Sequence, residues 1–287
     1  MRSWLSLMIL GSVAASGATL TRPAASSAQE SRAFQGWEIE YQIPPTWILG
    51  QMPGRMHVLS SQEEPGSIFI APGFYDGMAD VERDLEAFAT AARLAGEPVE
   101  GPTETEIGGF DAVVAVYDGQ TRSLEPVRAQ VIALFTPYET GVVLLGLAKP
   151  DQFGTVKVRL EEMALTVQAR PPAIDVETVA ALSGTWANYR AGRPPDAPSP
   201  EQGTRGIDDL FEFDGATFVW KSAIYLAAEA RGAAEAIAPT SREFNRGTYS
   251  VIDGKLVLKG QFGQTVVTMA LEGDRLQLGP NTYFRRR

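Results

Sequence analysis

The C-terminal part of the chain consists of short alternating runs joined by tight turn signals, and this pattern restricts the fold more than any other feature. "LFEFDGATFVW" and "GTYSVIDGKLVLKG" place Asp214-Gly215 and Asp253-Gly254 between runs of alternating apolar and polar residues. Asp-Gly favours two-residue hairpins because both of its residues tolerate positive φ. "MALEGDRLQLG" adds a looser turn that contains glycine. Seven or eight such strands predict a small closed or nearly closed β-barrel over residues 182–287.

Residues 33–170 predict a different unit, in which strands and helices are mixed. "WEIEYQI" alternates like a half-buried strand, whereas "ADVERDLEAFATAARLAG" has helical spacing, with Asp80 as N-cap and Gly96 as stop. Strand-like runs return after Gly96, and a last helix is expected near "QFGTVKVRLEEMALTVQ". The expected fold class is α+β, an antiparallel sheet with packed helices. The double proline of "RPPAIDVETVAAL" predicts a linker at residues 171–181.

The N-terminus predicts export. Arg2 precedes the apolar run "WLSLMILGSVAAS", and the small residues "ASSA" come before Gln29. A positive start, a short apolar run and small residues are typical of a cleaved signal peptide, here residues 1–28. An uncleaved anchor is the alternative. Cleavage leaves a mature chain with no membrane span, in the periplasm or outside the cell, and the excess of arginine and alanine is typical of a bacterial protein.

Composition excludes several classes of function. The chain has 25 basic and 35 acidic residues, which disfavours nucleic acid as a partner. It has no cysteine, so disulfides, thiolate catalysis and cysteine-bound zinc are excluded. Its single histidine, His57, excludes a site with several histidine ligands. No phosphate-binding or dinucleotide-binding glycine motif is present, so no cofactor is expected.

The candidate catalytic residues are few. His57 lies in a strand-like run, where a lone histidine is more often structural than catalytic. The adjacent pairs Glu63-Glu64 and Asp208-Asp209 are the clearest carboxylate candidates for a hydrolase. Both pairs lie beside turns and are better read as solvated loops. We therefore predict no catalytic residue and no metal ligand.

Aromatic residues at alternating positions of the C-terminal strands are the best candidates for ligand contact. They are expected to share the interior of the barrel, which is either filled by its own side chains or contains a cavity of ligand size. The set is Trp186, Phe211, Phe213, Phe218, Trp220 and Tyr249.

The N-terminal segment resembles the PsbP-like fold of photosystem II extrinsic proteins and their exported bacterial relatives. The resemblance rests on "YQIPPTW", on "GSIFIAP", on the strand "GGFDAVVAVYDG" and on the last helix, and it covers about residues 35–170. In that family the turn that carries Trp47 is structural. The prolines Pro44 and Pro45 fix the exit from the strand, and Trp47 is expected to cover the end of the sheet rather than bind a ligand.

The C-terminal segment resembles lipocalin-like barrels in one local feature. "GTW" at residues 184–186 opens its first strand and "YFRRR" ends its last. In those barrels a basic residue of the final strand covers the tryptophan, and this implies a structural cation–π contact of Arg285 or Arg286 with Trp186.

The function expected from the sequence is that of an exported, non-enzymatic envelope protein that acts by binding or assembly. Its partner is an unidentified protein or a small apolar ligand. One alternative is a carrier of a small apolar ligand in the C-terminal barrel. A second alternative is a hydrolase that uses paired carboxylates.

Overall fold

The computed structural model describes residues 30–50, 56–75, 79–80, 83, 94, 98–121, 124–192, 205–226 and 240–286. The chain divides into two compact units, Met1–Pro172 and Ala173–Arg287. The predicted signal peptide lies outside the described residues, as does most of the helix predicted after Asp80. No helix in the described ranges has the length and apolarity needed to cross a membrane.

The first unit is built mainly from two antiparallel sheets. A seven-stranded sheet has the order β3-β4-β5-β9-β8-β7-β6, and a three-stranded sheet has the order β1-β2-β10. Helix α1 spans Phe153–Ala164 and packs on the larger sheet. The strands are β1 Ser31–Phe34, β2 Ile39–Gln42, β3 Trp47–Gly50, β4 His57–Ser61, β5 Ser67–Phe74, β6 Glu100–Ile107, β7 Phe110–Gln120, β8 Pro126–Phe135, β9 Thr140–Ala148 and β10 Gln168–Ala169.

The predicted α+β class with packed helices is wrong. The described part of the chain is mostly strand, with 62% strand and 12% helix, and the PsbP-like arrangement predicted for this unit is not what it adopts. The reason lies in the layer that covers the large sheet. One apolar core contains Phe34, Ile39 and Tyr41 of the small sheet together with Val156 and Leu160 of α1. Strands therefore cover much of the sheet surface that the sequence predicts helices to cover.

The second unit is a closed barrel of eight antiparallel strands, each paired with its neighbours in the sequence, with β18 paired to β11. The predicted barrel is therefore present. Helix α2, Val176–Leu182, precedes it and occupies most of the segment predicted as a linker. The strands are β11 Gly184–Gly192, β12 Arg205–Asp214, β13 Thr217–Leu226, β14 Thr240–Ile252, β15 Lys255–Gly260, β16 Gly263–Glu272, β17 Arg275–Leu278 and β18 Asn281–Arg286.

The two ends of the barrel differ in their connections. At one end, called the helix end, two-residue turns follow β12, β14 and β16, and α2 lies against the barrel there. Asp253 and Gly254 form one of these turns with φ of 50° and 66°, as the Asp-Gly signal predicts. At the other end, called the distal end, β11 is joined to β12 through residues 193–204, and β13 to β14 through 227–239. The long connections are thus all at the distal end.

Candidate functional site

The helix end of the barrel is closed by contacts around Trp186. Its ring is fully buried, and its indole N–H donates to the carbonyl of Leu182 at 2.7 Å. The guanidinium of Arg285 lies 4.3 Å from the ring centre and donates to the carbonyls of Ala181 and Ser183. These carbonyls belong to the last turn of α2, where partners are otherwise lacking and positive charge is favoured. Arg285, rather than Arg286, is the basic residue over the tryptophan.

Tyr249 also bonds to α2 at the helix end of the barrel. Its hydroxyl donates to the carbonyl of Val179 in α2 at 3.0 Å, and burial raises the pKa of the phenol. The backbone N–H of Asp175 bonds to the carbonyl of Val251, which anchors the start of α2 on β14. Of the six aromatic residues proposed as ligand contacts, Trp186 and Tyr249 thus bond to α2.

The phenylalanines of the set fill the middle of the barrel. Phe211, Phe213 and Phe218 are all buried in the core. The rings of Phe211 and Phe213 are parallel, with centroids 5.7 Å apart, and Tyr249 meets Phe213 edge-on at 4.8 Å. Rings at these distances pack on one another, so this layer is a filled core.

Trp220 is the member of the set whose strand partner contacts a distal turn. It stands opposite Phe211 on β12 and opposite Asn245 on β14. Asn245 is buried, and its side-chain oxygen accepts from the backbone N–H of Gln261 in the turn between β15 and β16. Trp220 is therefore connected to the distal turn through Asn245.

The ring of Trp220 is half-buried beside two other aromatic rings. Phe211 lies parallel to it at 5.7 Å and 7°, and Phe244 lies 5.3 Å away. The indole nitrogen is buried, yet it makes no hydrogen bond within the described part of the chain. A buried N–H without a partner costs roughly 1–3 kcal/mol, so a group of this kind requires an explanation.

Two residues at this site, Phe244 and Asn245, are absent from the sequence-based set. The register of β13 against β14 shifts between Trp220 and Lys221, where Phe244 is the extra residue on β14. A bulge breaks the two-residue period, so alternation along "SREFNRGTYSV" cannot give the positions of Phe244 and Asn245 together. The nearby Asn-Arg-Gly sequence is compatible with many local geometries and gives no usable signal.

In the first unit, Trp47 lies in the core and is 4% exposed. Its indole N–H donates to Glu64 at 3.1 Å, and Arg159 of α1 holds the same carboxylate with two bonds of 2.9 Å. The bond from Arg159 is the largest cause that lowers the pKa of Glu64. Trp47 thus links the start of β3 to α1 through an ionised carboxylate, as a structural residue would.

His57 forms a compact cluster with two aromatic rings. Its Nδ1 lies 2.7 Å from the hydroxyl of Tyr41, and its ring stacks on Phe34 at 4.1 Å. Burial, and next the charge of Arg32, lower the pKa of His57, while burial raises that of Tyr41. Tyr41 therefore keeps its proton, and a hydrogen bond joins its hydroxyl to the imidazole. The cluster joins β1 and β2 to β4.

The carboxylate pairs gain no catalytic geometry from the structure. Glu64 is held by Arg159, Trp47 and Thr46, and the side chain of Asp208 lies outside the described residues. Within the described ranges, no three His, Asp or Glu side chains come together as metal ligands would.

Comparisons with known proteins add little. No protein-family model matches the chain, and no curated protein sequence matches it. Among the solved structures that match, one from Bacteroides thetaiotaomicron VPI-5482 has a TM-score of 0.38 and 11% identity over 50% of this chain. The match covers 49% of that protein, so it spans about half of its length. Similarity at this level carries no argument about fold or function.

Proposed function

We propose that this protein is an exported, non-enzymatic binding protein whose C-terminal barrel carries a small apolar ligand at its distal end. The proposal selects the carrier among the three functions that the sequence leaves open. It agrees with the position of the long connections, because loops that join rigid strands at one end of a barrel are a common place for binding.

The proposal rests on one observation: the two tryptophans of the barrel differ in burial and in the hydrogen bonding of their indole N–H groups. Trp186 is fully buried with its N–H bonded to Leu182, whereas Trp220 is half-buried and its N–H has no bond within the described part of the chain. A tryptophan that only fills a core is expected to find a partner for its N–H. Trp220 combines an apolar ring with an N–H donor that no described residue accepts from, and ligand sites typically combine apolar surface with a few polar groups.

The hydrolase alternative receives no support of this kind. Its best described carboxylate, Glu64, bonds to Arg159 of α1 and to the indole of Trp47. A carboxylate held in this way at low pKa is a weak general base and stays deprotonated at neutral pH. Assembly with a protein partner remains an outcome that the following experiment distinguishes.

The experiment is native mass spectrometry of the protein purified from its own cells. We expect a retained small mass that denaturation releases, and a Trp220→Ala variant should retain much less of it. Phe284→Ala is the matched control, because Phe284 is an exposed aromatic residue of the same barrel. Equal retention by all three proteins, or none by the wild type, would contradict the proposal, and a stoichiometric protein partner instead of a small mass would support assembly.

Export is tested separately by N-terminal sequencing of the protein from the cell envelope fraction. Cleavage after Ala28 should give a chain that begins at Gln29. That chain has 23 basic and 35 acidic residues, since residues 1–28 contain Arg2 and Arg22 but no acid. An intact Met1 would contradict export by cleavage.

A further inference from the structure

The indole N–H of Trp220, which has no hydrogen-bond partner in the described part of the chain, restricts the kind of ligand that fits the barrel. This inference rests on the ligand-binding function proposed above. We infer that the ligand is a flat, apolar molecule that carries an oxygen acceptor, and that this oxygen binds the indole N–H of Trp220. The inference rests on the surroundings of that N–H, on the rings beside it and on the bonds of the neighbouring amide.

The first step compares the indole N–H of Trp220 with those of Trp47 and Trp186. The indoles of Trp47 and Trp186 both donate, at 3.1 and 2.7 Å, to Glu64 and to the carbonyl of Leu182. Their residues are 4% and 0% exposed. These two buried indoles have oxygen acceptors, whereas the buried N–H of Trp220 has none in the described part of the chain.

The second step is that the polar side chain opposite Trp220, that of Asn245, already makes a hydrogen bond. Asn245 stands opposite Trp220 in the strand pairing, but its side-chain oxygen accepts from the backbone N–H of Gln261 at 3.1 Å. A methyl group at Gly260 would meet the oxygen of Asn245 at 2.2 Å and its nitrogen at 2.5 Å, so the amide is packed closely against that backbone. Asn245 is therefore held toward the distal turn, and turning it to Trp220 would break this bond.

The third step is the chemistry of the two groups. An indole N–H donates and never accepts, so a ligand group that satisfies it must be an acceptor, such as a carbonyl, carboxylate or ether oxygen. The rings of Phe211 and Phe244 lie 5.7 and 5.3 Å from that of Trp220, and aromatic surface of this kind favours a flat apolar body beside that oxygen. Neutral and anionic acceptors share this chemistry, and the experiment separates them.

The test uses three naphthalenes of nearly equal shape: acetylnaphthalene with a neutral oxygen, naphthoate with an anionic one, and isopropylnaphthalene with none. Each is titrated into the full chain while heteronuclear NMR follows the tryptophan indole N–H signals, with the Trp220 signal assigned from a Trp220→Phe variant. We expect the better of the two oxygen-bearing probes to bind about tenfold tighter than isopropylnaphthalene and to move the Trp220 signal downfield. Whichever of the two binds tighter identifies the acceptor as neutral or anionic.

Two variants control for loss of packing. Trp220→Phe removes the donor and should bring the three affinities within about twofold of one another. Phe244→Leu removes a ring but keeps the donor, so it should weaken all three probes and preserve their order. Thermal unfolding of each variant checks that the barrel remains folded, and the shift of the Trp220 signal is measured in the wild type, where the packing is unchanged.

Each remaining outcome has a definite meaning. Equal binding of the three probes by the wild type would overturn the inference about the acceptor and leave the proposed binding function intact. A preference for oxygen that persists in Trp220→Phe would overturn the assignment of the donor. No binding of any probe would count against both the inference and the proposed function.

Discussion

At the helix end of the barrel, a contact between Trp186 and Arg285 helps to join the first strand to the last. Trp186 stands opposite Arg285 in the pairing of β11 with β18 and supports its guanidinium. Arg285 in turn bonds to carbonyls of α2 and lies 3.4 Å from Asp274. One side chain therefore contributes to strand closure and to the seating of the helix.

Trp186→Ala should lower the free energy of unfolding of the barrel by about 3–5 kcal/mol, because it removes a fully buried ring. Arg285→Ala should cost about 2–4 kcal/mol, more than a cation–π contact alone, because two charged hydrogen bonds to carbonyls are lost as well. Chemical denaturation of both variants and of the double variant measures this. The double variant should lose less than the sum, and strictly additive losses would mean that the contact contributes nothing.

The cluster around His57 should make the first unit sensitive to mild acid. Its pKa is lowered in the folded state, below the ordinary value of 6.5, so the unfolded chain takes up a proton first as the pH falls. The contribution of His57 to stability should therefore be constant above about pH 6.5 and decline as the pH falls below that value. The chain has one histidine, so His57→Gln should abolish the decline in a pH series of thermal unfolding. A decline that persists in this variant would assign it to another group.

At the scale of elements, the pairing of β14 with β15 depends on a close approach at Gly247. A methyl group at this position would lie 1.8 Å from the carbonyl oxygen of Lys259, which is backbone and cannot rotate away. The neighbouring Gly260 is similarly close to Asn245. Gly260 ends β15 at the distal end and Gly247 stands opposite it on β14, two residues from Asn245, the strand partner of Trp220.

Gly247→Ala should destabilise the barrel by at least about 3 kcal/mol, since the strands must separate to admit the methyl group. Gly154→Ala is the control: Gly154 is exposed in α1, a methyl group there meets nothing within 4 Å, and the change should stabilise the first unit by about 0.3–1 kcal/mol. Unfolding followed by circular dichroism compares the two. Tolerance of alanine at Gly247 would mean that the strands are farther apart.

The elements show which parts of the fold are readable from the sequence. The C-terminal hairpins follow from Asp-Gly pairs and alternation, which are local signals. Strand β6, Glu100–Ile107, is polar and exposed at a sheet edge, so its sequence "EGPTETEI" lacks the apolar alternation that marks a strand. Alternation also assigns Trp186 and Trp220 to the same interior without giving their height along the barrel. That height depends on register and closure, and it decides which tryptophan is available to a ligand.

For the whole molecule, the division at Pro172/Ala173 places α2 with the barrel. The exposed stretch 170–174 is then the part of the predicted linker that no helix or strand protects. The described helix and strands on either side belong to separate units, and each unit has its own apolar core.

Limited proteolysis should cut first within residues 170–174, because exposed chain outside secondary structure is attacked before packed strands. The proline-rich sequence at residues 193–204, outside the described residues, predicts a second early site. Mass spectrometry of the early fragments locates the cuts, and fragments that correspond to the two units should remain folded. First cuts within Val176–Leu182 would mean that α2 is not held by Arg285 and Tyr249. First cuts within residues 111–149 would mean that the large sheet is not a stable core.

The most direct measurement of the central claim is the equilibrium affinity of the barrel for an apolar fluorescent probe, N-phenylnaphthylamine, in the wild type, Trp220→Ala and Tyr249→Phe. Trp220→Ala removes a ring at the distal end, whereas Tyr249→Phe removes only a bond to α2 at the helix end. We predict saturable binding by the wild type, at least about tenfold weaker binding by Trp220→Ala, and unchanged binding by Tyr249→Phe. Absence of saturable binding by the wild type, or weakening by Tyr249→Phe but not by Trp220→Ala, would contradict a ligand site at the distal end.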